Sequence, residues 1–113
     1  MKKAKHTPGP WFTHREGFSS VYIEARIGGG MLQEVASCGP TNEGSDQQEA
    51  NARLIAAAPE MLEALRGLLA LEEENLRGYD DIDVCAEVQF ARAAIAKATG
   101  GADSGDGEQK GKQ

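Results

Sequence analysis

Aromatic residues make up only 5% of this 113-residue chain, and Cys38 and Cys85 are its only thiols. So few aromatics argue against a large all-β sandwich, and the Ala and Leu crowding the second half favour a helix-rich core closed by small side chains. The two cysteines stand far apart, without CxxC or Cys/His spacing. That excludes a disulfide framework or a zinc site and leaves reduced thiols. No apolar run approaches the roughly 20 residues of a membrane helix. The start lacks the apolar core of a signal peptide, so a cytoplasmic protein with no membrane partner is expected.

Clusters of Lys and Arg are missing as well. The formal charge is -6, and residues 60–83 hold 8 acidic side chains against Arg66 and Arg77, so this stretch carries the whole imbalance. Lys2, Lys3 and Lys5 form a short basic head that reads as a solvated terminus. Neutralising phosphates along a duplex requires grouped cations, so no duplex nucleic acid partner is expected.

What is present divides the chain into a flexible lead-in at 1–10, a single α+β domain at 11–99 and a disordered tail at 100–113. Pro8-Gly9-Pro10 fixes the end of the lead-in. Residues 11–14 read as a first strand and 15–17 as a turn. Over 20–27, Val21, Ile23, Ala25 and Ile27 alternate with Tyr22, Glu24 and Arg26, the period of a strand with one buried face. Gly28-Gly29-Gly30 supplies a turn, and 31–38 a third strand, giving a three-stranded antiparallel sheet. The triplet opens no helix and precedes no Lys-Ser or Lys-Thr, so a phosphate loop is not indicated.

Ser45 and Gln48 match a capping box that would start a helix at Asp46, with Ala50, Arg53, Leu54 and Ala57 on its apolar stripe. Pro59 disfavours uninterrupted continuation, so a break or kink is expected there. A second helix then runs to about Arg77, with Leu62, Leu65, Leu69, Glu72 and Leu76 near one face and Met61 and Leu68 beside it. Residues 78–81 turn the chain, and 82–99 form a last helix striped by Val84, Val88, Ala91, Ile95 and Ala98. The last two segments are expected to make a helical hairpin. A sheet and hairpin of this size leave an apolar face that a second copy can cover, so a homo-oligomer is expected. The tail after Thr99 has almost no apolar residue and cannot offset the entropy of ordering.

Chemistry is sparsely signalled. His6 lies in the lead-in and His14 at a strand end without an orienting carboxylate in its pattern, so neither marks a general base. Glu72, Glu73 and Glu74 are consecutive and fan around a helix, which suits solvation or a basic protein partner better than a shared metal ion. No catalytic residue, metal or cofactor is indicated. Trp11, Phe12, Phe18 and Tyr22 with Arg15, Arg26, Asn51 and Arg53 are residue types that suit a nucleotide: flat surfaces for its base, fixed donors for its phosphates. The same residues also suit a core plug, in the case of Trp11, and ties between helix and strands, in the case of Asn51 and Arg53.

At Thr7-Pro8-Gly9-Pro10-Trp11, and from Asn51-Ala52-Arg53-Leu54-Ile55 through Ala58-Pro59-Glu60-Met61-Leu62 to Leu65, the chain resembles a widespread group of short bacteriophage and prophage proteins. These share a TPGPW-like start, a few strands and an NARLIAAAPELLEAL-like helix. Small phage proteins of similar layout include anti-defence inhibitors, among them oligomeric sponges that sequester cyclic nucleotides without cleaving them. The resemblance and layout imply a non-enzymatic anti-defence protein that binds a small nucleotide-type signal through Trp11, Tyr22, Arg26, Asn51 and Arg53. The alternative is an anti-CRISPR-like inhibitor docking Glu72, Glu73 and Glu74 on a host defence protein.

Overall fold

The alternation at 20–27 becomes the central strand of the computed structural model, which describes residues 5–17, 19–77 and 85–101. Strands β1 (Trp11–Glu16), β2 (Ser20–Ile27) and β3 (Met31–Cys38) form one antiparallel sheet in the order β1-β2-β3. Helices α1 (Ser45–Ala56), α2 (Ala58–Asn75) and α3 (Ala86–Ala98) follow, so the chain is α+β. β2 and β3 keep the bounds expected from sequence, while β1 continues two residues past His14 to Glu16. Gly28–Gly30 is a single short turn whose Gly29 and Gly30 take φ of 78° and 83°. Only glycine adopts that region without strain. The head residues Lys2 and Lys3, Phe18, the turn at 78–81, the expected helix start at 82–84 and the tail from 102 lie outside the described residues.

The chain groups into two compact units, residues 1–61 and residues 62–113. In the first, Val21, Ile23 and Ala25 point to one face of β2 and are buried, whereas Ile27 is exposed. Helix α1 covers that face. Val21, Ile23, Cys38, Ala52 and Ala56 form the core, with Trp11, Val35, Ala36 and Ile55 packed against it. β3 carries one extra residue, Val35, between Ala36 opposite Ile23 and Glu34 opposite Glu24. This bulge resets which β3 side chains share a face with Glu24.

Two expectations for α1 are corrected. Its buried face is Gln48, Ala52 and Ala56, while Ala50, Arg53 and Leu54 of the expected stripe are exposed. The small side chains of Ala52 and Ala56 allow the helix to lie close to the sheet, which the bulk of Leu54 would prevent. Nor does a capping box form. The helix begins at Ser45 itself behind Gly44, whose φ is 91°, and no side chain caps it.

Gln48 is instead spent in the core. It is 2% exposed. Its amide nitrogen donates to the carbonyls of Ser19 at 3.0 Å and Cys38 at 2.9 Å, and its Oε1 accepts from Arg15 Nη2 at 3.0 Å. Arg15 Nε in turn donates to Glu49 Oε2 at 2.7 Å. One side chain thus joins β1, the β1–β2 turn and the end of β3 to α1, and its donors are met by acceptors that burial would otherwise leave empty.

Helix α1 ends at Ala56, and the Ala57 amide donates to the carbonyls of Arg53 and Leu54. Pro59 is then the second residue of α2, within the first turn, where its missing amide costs no helical hydrogen bond. It also holds the lead-in. A Cβ built on Gly9 would come within 3.0 Å of Pro59 Cβ, the Gly9–Pro10 peptide is cis, and Trp11 Nε1 donates to the Thr7 carbonyl at 3.0 Å.

In the second unit, Arg92 of α3 donates from Nε and Nη2 to Glu73 Oε2 of α2 at 3.1 Å and 3.0 Å. Val88 is the one buried side chain among its described residues. No helix among the described residues is long and apolar enough to cross a membrane.

Gln48→Glu keeps the shape of the side chain but removes both amide donors, leaving two carbonyls unmet. Urea denaturation should report a loss of about 2–3 kcal/mol, and an unchanged midpoint would refute the role given to Gln48. Gly9→Ala forces a methyl against the rigid Pro59 ring, and the same measurement should show a loss of about 1 kcal/mol, accompanied by a shift in Trp11 fluorescence.

Candidate ligand-binding face of the sheet

Because side chains alternate along a strand, the β2 residues that do not enter the core form a row on the opposite face: Tyr22, Glu24 and Arg26. Register sets their neighbours. On β1, His14 lies opposite Tyr22 and Phe12 opposite Glu24. On β3, Ser37, Glu34 and Leu32 lie opposite Tyr22, Glu24 and Arg26. Helix α1 packs on the other side and does not cover this face.

Its chemistry is mixed. The Arg26 guanidinium stands over the Phe12 ring at 5.9 Å, a cation–π pair, and its only other contact of note is Nη1 to the Gly30 carbonyl at 3.4 Å. His14 lies between two carboxylates, with Nδ1 3.3 Å from Glu24 Oε1 and Nε2 3.3 Å from Glu16 Oε1. Glu24 is the most enclosed of these charged groups, its side chain 15% exposed. Its Oε1 is buried and accepts no hydrogen bond. Directly across the ladder stands Glu34, a second carboxylate. Phe12 and Leu32 add exposed apolar surface. Among the described residues no three His, Cys, Asp or Glu side chains are grouped to hold a metal ion.

The five residues read from sequence as a ligand site fall into three places. Tyr22 and Arg26 share the open face. Trp11 lies on the helix-covered face, opposite Ala25, packed on the core. Asn51 and Arg53 are exposed on α1, where Arg53 Nη1 is 3.9 Å from Glu49 Oε1. Phe12, His14 and Glu24 join Tyr22 and Arg26 instead. Their position follows from the register of β1 on β2, which the alternation within each strand hints at and only pairing fixes. The acidic triplet is also divided. Glu73 is held by Arg92 and Glu74 by Arg77, leaving Glu72 as its one carboxylate with no such ion pair.

A family model described as Salmonella phage P22 protein Y8K6 matches residues 1–102. The chain belongs to this family. No curated protein and no solved structure matches the chain. The span matched by the P22 Y8K6 family contains both the Thr7–Trp11 segment and the helical run at 51–65. In the fold these two segments meet at the Gly9–Pro59 contact, and both supply the core, where Trp11 and Ile55 pack against the cluster that holds Ala52 and Ala56.

Like charges opposed across a ladder oppose folding. Glu34→Gln removes that opposition to Glu24 while leaving His14 and Glu16 in place. The urea midpoint should rise by the equivalent of about 0.5 kcal/mol, with the gain shrinking in high salt. A lower midpoint would mean that the two carboxylates are held together by something other than strand pairing.

Proposed function

We propose that this member of the P22 Y8K6 family is a non-enzymatic anti-defence protein that binds and sequesters a small nucleotide-type signal on the open face of its sheet. The observation that carries the reading is the grouping of Phe12, Tyr22 and Arg26 around Glu24, whose buried Oε1 accepts no hydrogen bond although His14 Nδ1 stands 3.3 Å away. An aromatic ring takes a base by stacking. Arg26, bound weakly where it stands, is free to meet a phosphate. A carboxylate accepts from the ring N–H or exocyclic amino group at a base edge, and the donor missing at Glu24 is of that kind. The acids across the ladder favour presenting the base, not the phosphates, to the centre of the face. The same set supports binding without turnover: His14 stands between two carboxylates, and among the described residues no nucleophile is paired with it.

The alternative, an acidic inhibitor of a host defence protein acting through Glu72, Glu73 and Glu74, has less support. Two of those three carboxylates already have arginine partners within the chain.

Isothermal titration against cyclic di- and trinucleotides and cyclic ADP-ribose isomers should give saturable heat with at least one of them, and mass spectrometry should recover that ligand unaltered. Phe12→Ala should weaken binding by roughly 5–100-fold, the worth of one stacked base. Arg26→Ala should weaken it by about tenfold or more. Absence of heat with every ligand, or release of a chemically altered one, overturns the proposal.

A further inference from the structure

The exposed side of α2 points to a use that the sheet face does not explain. Along this helix Leu62, Leu65 and Leu69 are half-buried at spacings of three and four residues, and half-buried Leu76 follows just past its end. One residue earlier in the same rhythm, Ala64, Leu68, Leu71 and Asn75 form a second row at spacings of four, three and four, and all are exposed. Leu68 is 65% exposed and Leu71 57%. A 3–4 repeat is the spacing by which a helix meets another helix, and two adjacent rows belong to a helix with neighbours on two sides, as in a four-helix bundle. An open cleft of about 450 Å³ runs beside the second row, lined by Leu65, Leu68, Leu69 and Leu71 of α2 with Val88 and Ala91 of α3.

We infer that this row and cleft form the contact with a second copy of the chain, α2 lying antiparallel to α2 of the partner about a two-fold axis. The inference goes beyond the ligand reading and does not depend on it. Three observations select a second copy. First, α2 has 18 residues and none is buried, and α3 adds Val88 alone. So little burial does not hold two helices in order, so the covering surface must be permanent, and a copy of the same chain is always at hand. Second, the 102–113 stretch is a poor cover for leucines, since Ala102 is its single apolar residue. Third, the size suits. Two helices side by side, about 20 Å across and about 20–27 Å long, present roughly 400–540 Å² in projection, the order of the ~800 Å² of accessible surface per partner in a stable pair.

Charge chooses the direction. Glu72 lines the cleft together with Glu87, and a parallel pairing would set Glu72 against its own symmetry mate. An antiparallel pairing places it beside the other end of the partner's helix, around Ala64 and Gly67, and stacks the Leu68 and Leu71 layers near the axis.

Sedimentation velocity of the full chain should give about 24 kDa, twice the 12.0 kDa of one chain, at micromolar concentrations. Leu68→Glu should shift it to one chain by weakening association roughly 100-fold or more, while Phe12→Ala, on the sheet face, leaves the mass unchanged. Hydrogen exchange supplies an independent reading in the unmutated protein: amides at 64–75 should slow as concentration rises. A single-chain mass at every concentration hands the row to a foreign helix and overturns the inference. A Leu68→Glu dimer as tight as the parent, or concentration-dependent protection confined to the sheet, does the same.

Discussion

The first unit depends on one buried amide. Gln48 is the only polar residue buried among the described residues, and it answers two backbone carbonyls that strand pairing leaves over at the β1–β2 turn and at the end of β3. Because its third bond comes from Arg15, itself held by Glu49, the position of α1 on the sheet is fixed along the helix as well as against it. Apolar burial alone would not fix it so. Ala52 and Ala56 are small and alike, and a helix resting only on them could slide by a turn at little cost. Directional bonds remove that freedom.

Once α1 is seated, the two faces of the sheet have different fates. Val21, Ile23 and Ala25 are closed off, with Trp11 sealing one margin of the core and the Pro59 ring pressed on Gly9 beyond it. Tyr22, Glu24 and Arg26 are left in the open, and the bulge at Val35 brings Glu34 across from Glu24. The open face therefore contains an acidic pair that folding does not favour, next to a histidine and an arginine–phenylalanine stack. Packing does not explain a cost of this kind, and the proposed binding role would.

The second unit presents the complementary problem. Its helices are joined by the Arg92–Glu73 pair and by Val88, yet α2 displays Leu68 and Leu71 to solvent within the row Ala64, Leu68, Leu71 and Asn75. An exposed scattered leucine requires no explanation. A row repeating every three and four residues beside an apolar cleft does, because it has the geometry of a helix partner.

How much of this was legible in the sequence varies with the range of the interaction. Strands β2 and β3 and the turn between them are set by local alternation and by glycines at positive φ, so residues 20–38 read correctly from sequence. The first two helices read correctly as segments, since Pro59 and the leucine periodicity act within a few residues, whereas the last, expected over 82–99, begins only at Ala86 behind an extended Cys85. Membership of a phage protein family was likewise legible, from two short motifs. The face of α1 was not. Ser45 and Gln48 have the spacing of a capping box, but Gln48 is worth more to two carbonyls that lie 29 and 10 residues away along the chain. Asn51 and Arg53 looked inward because the stripe was counted from Ala50, and tertiary contact turned the helix by choosing Ala52 and Ala56 for the sheet. The sequence offered Phe12 beside Tyr22 and Arg26 by residue type, but it could not add His14 and Glu24 to them, since strand register decides that. Local chemistry alone determined where elements begin and which strand residues share a side. Only the tertiary structure decided which polar groups had to be satisfied in the core, and therefore which were left free to act outside it.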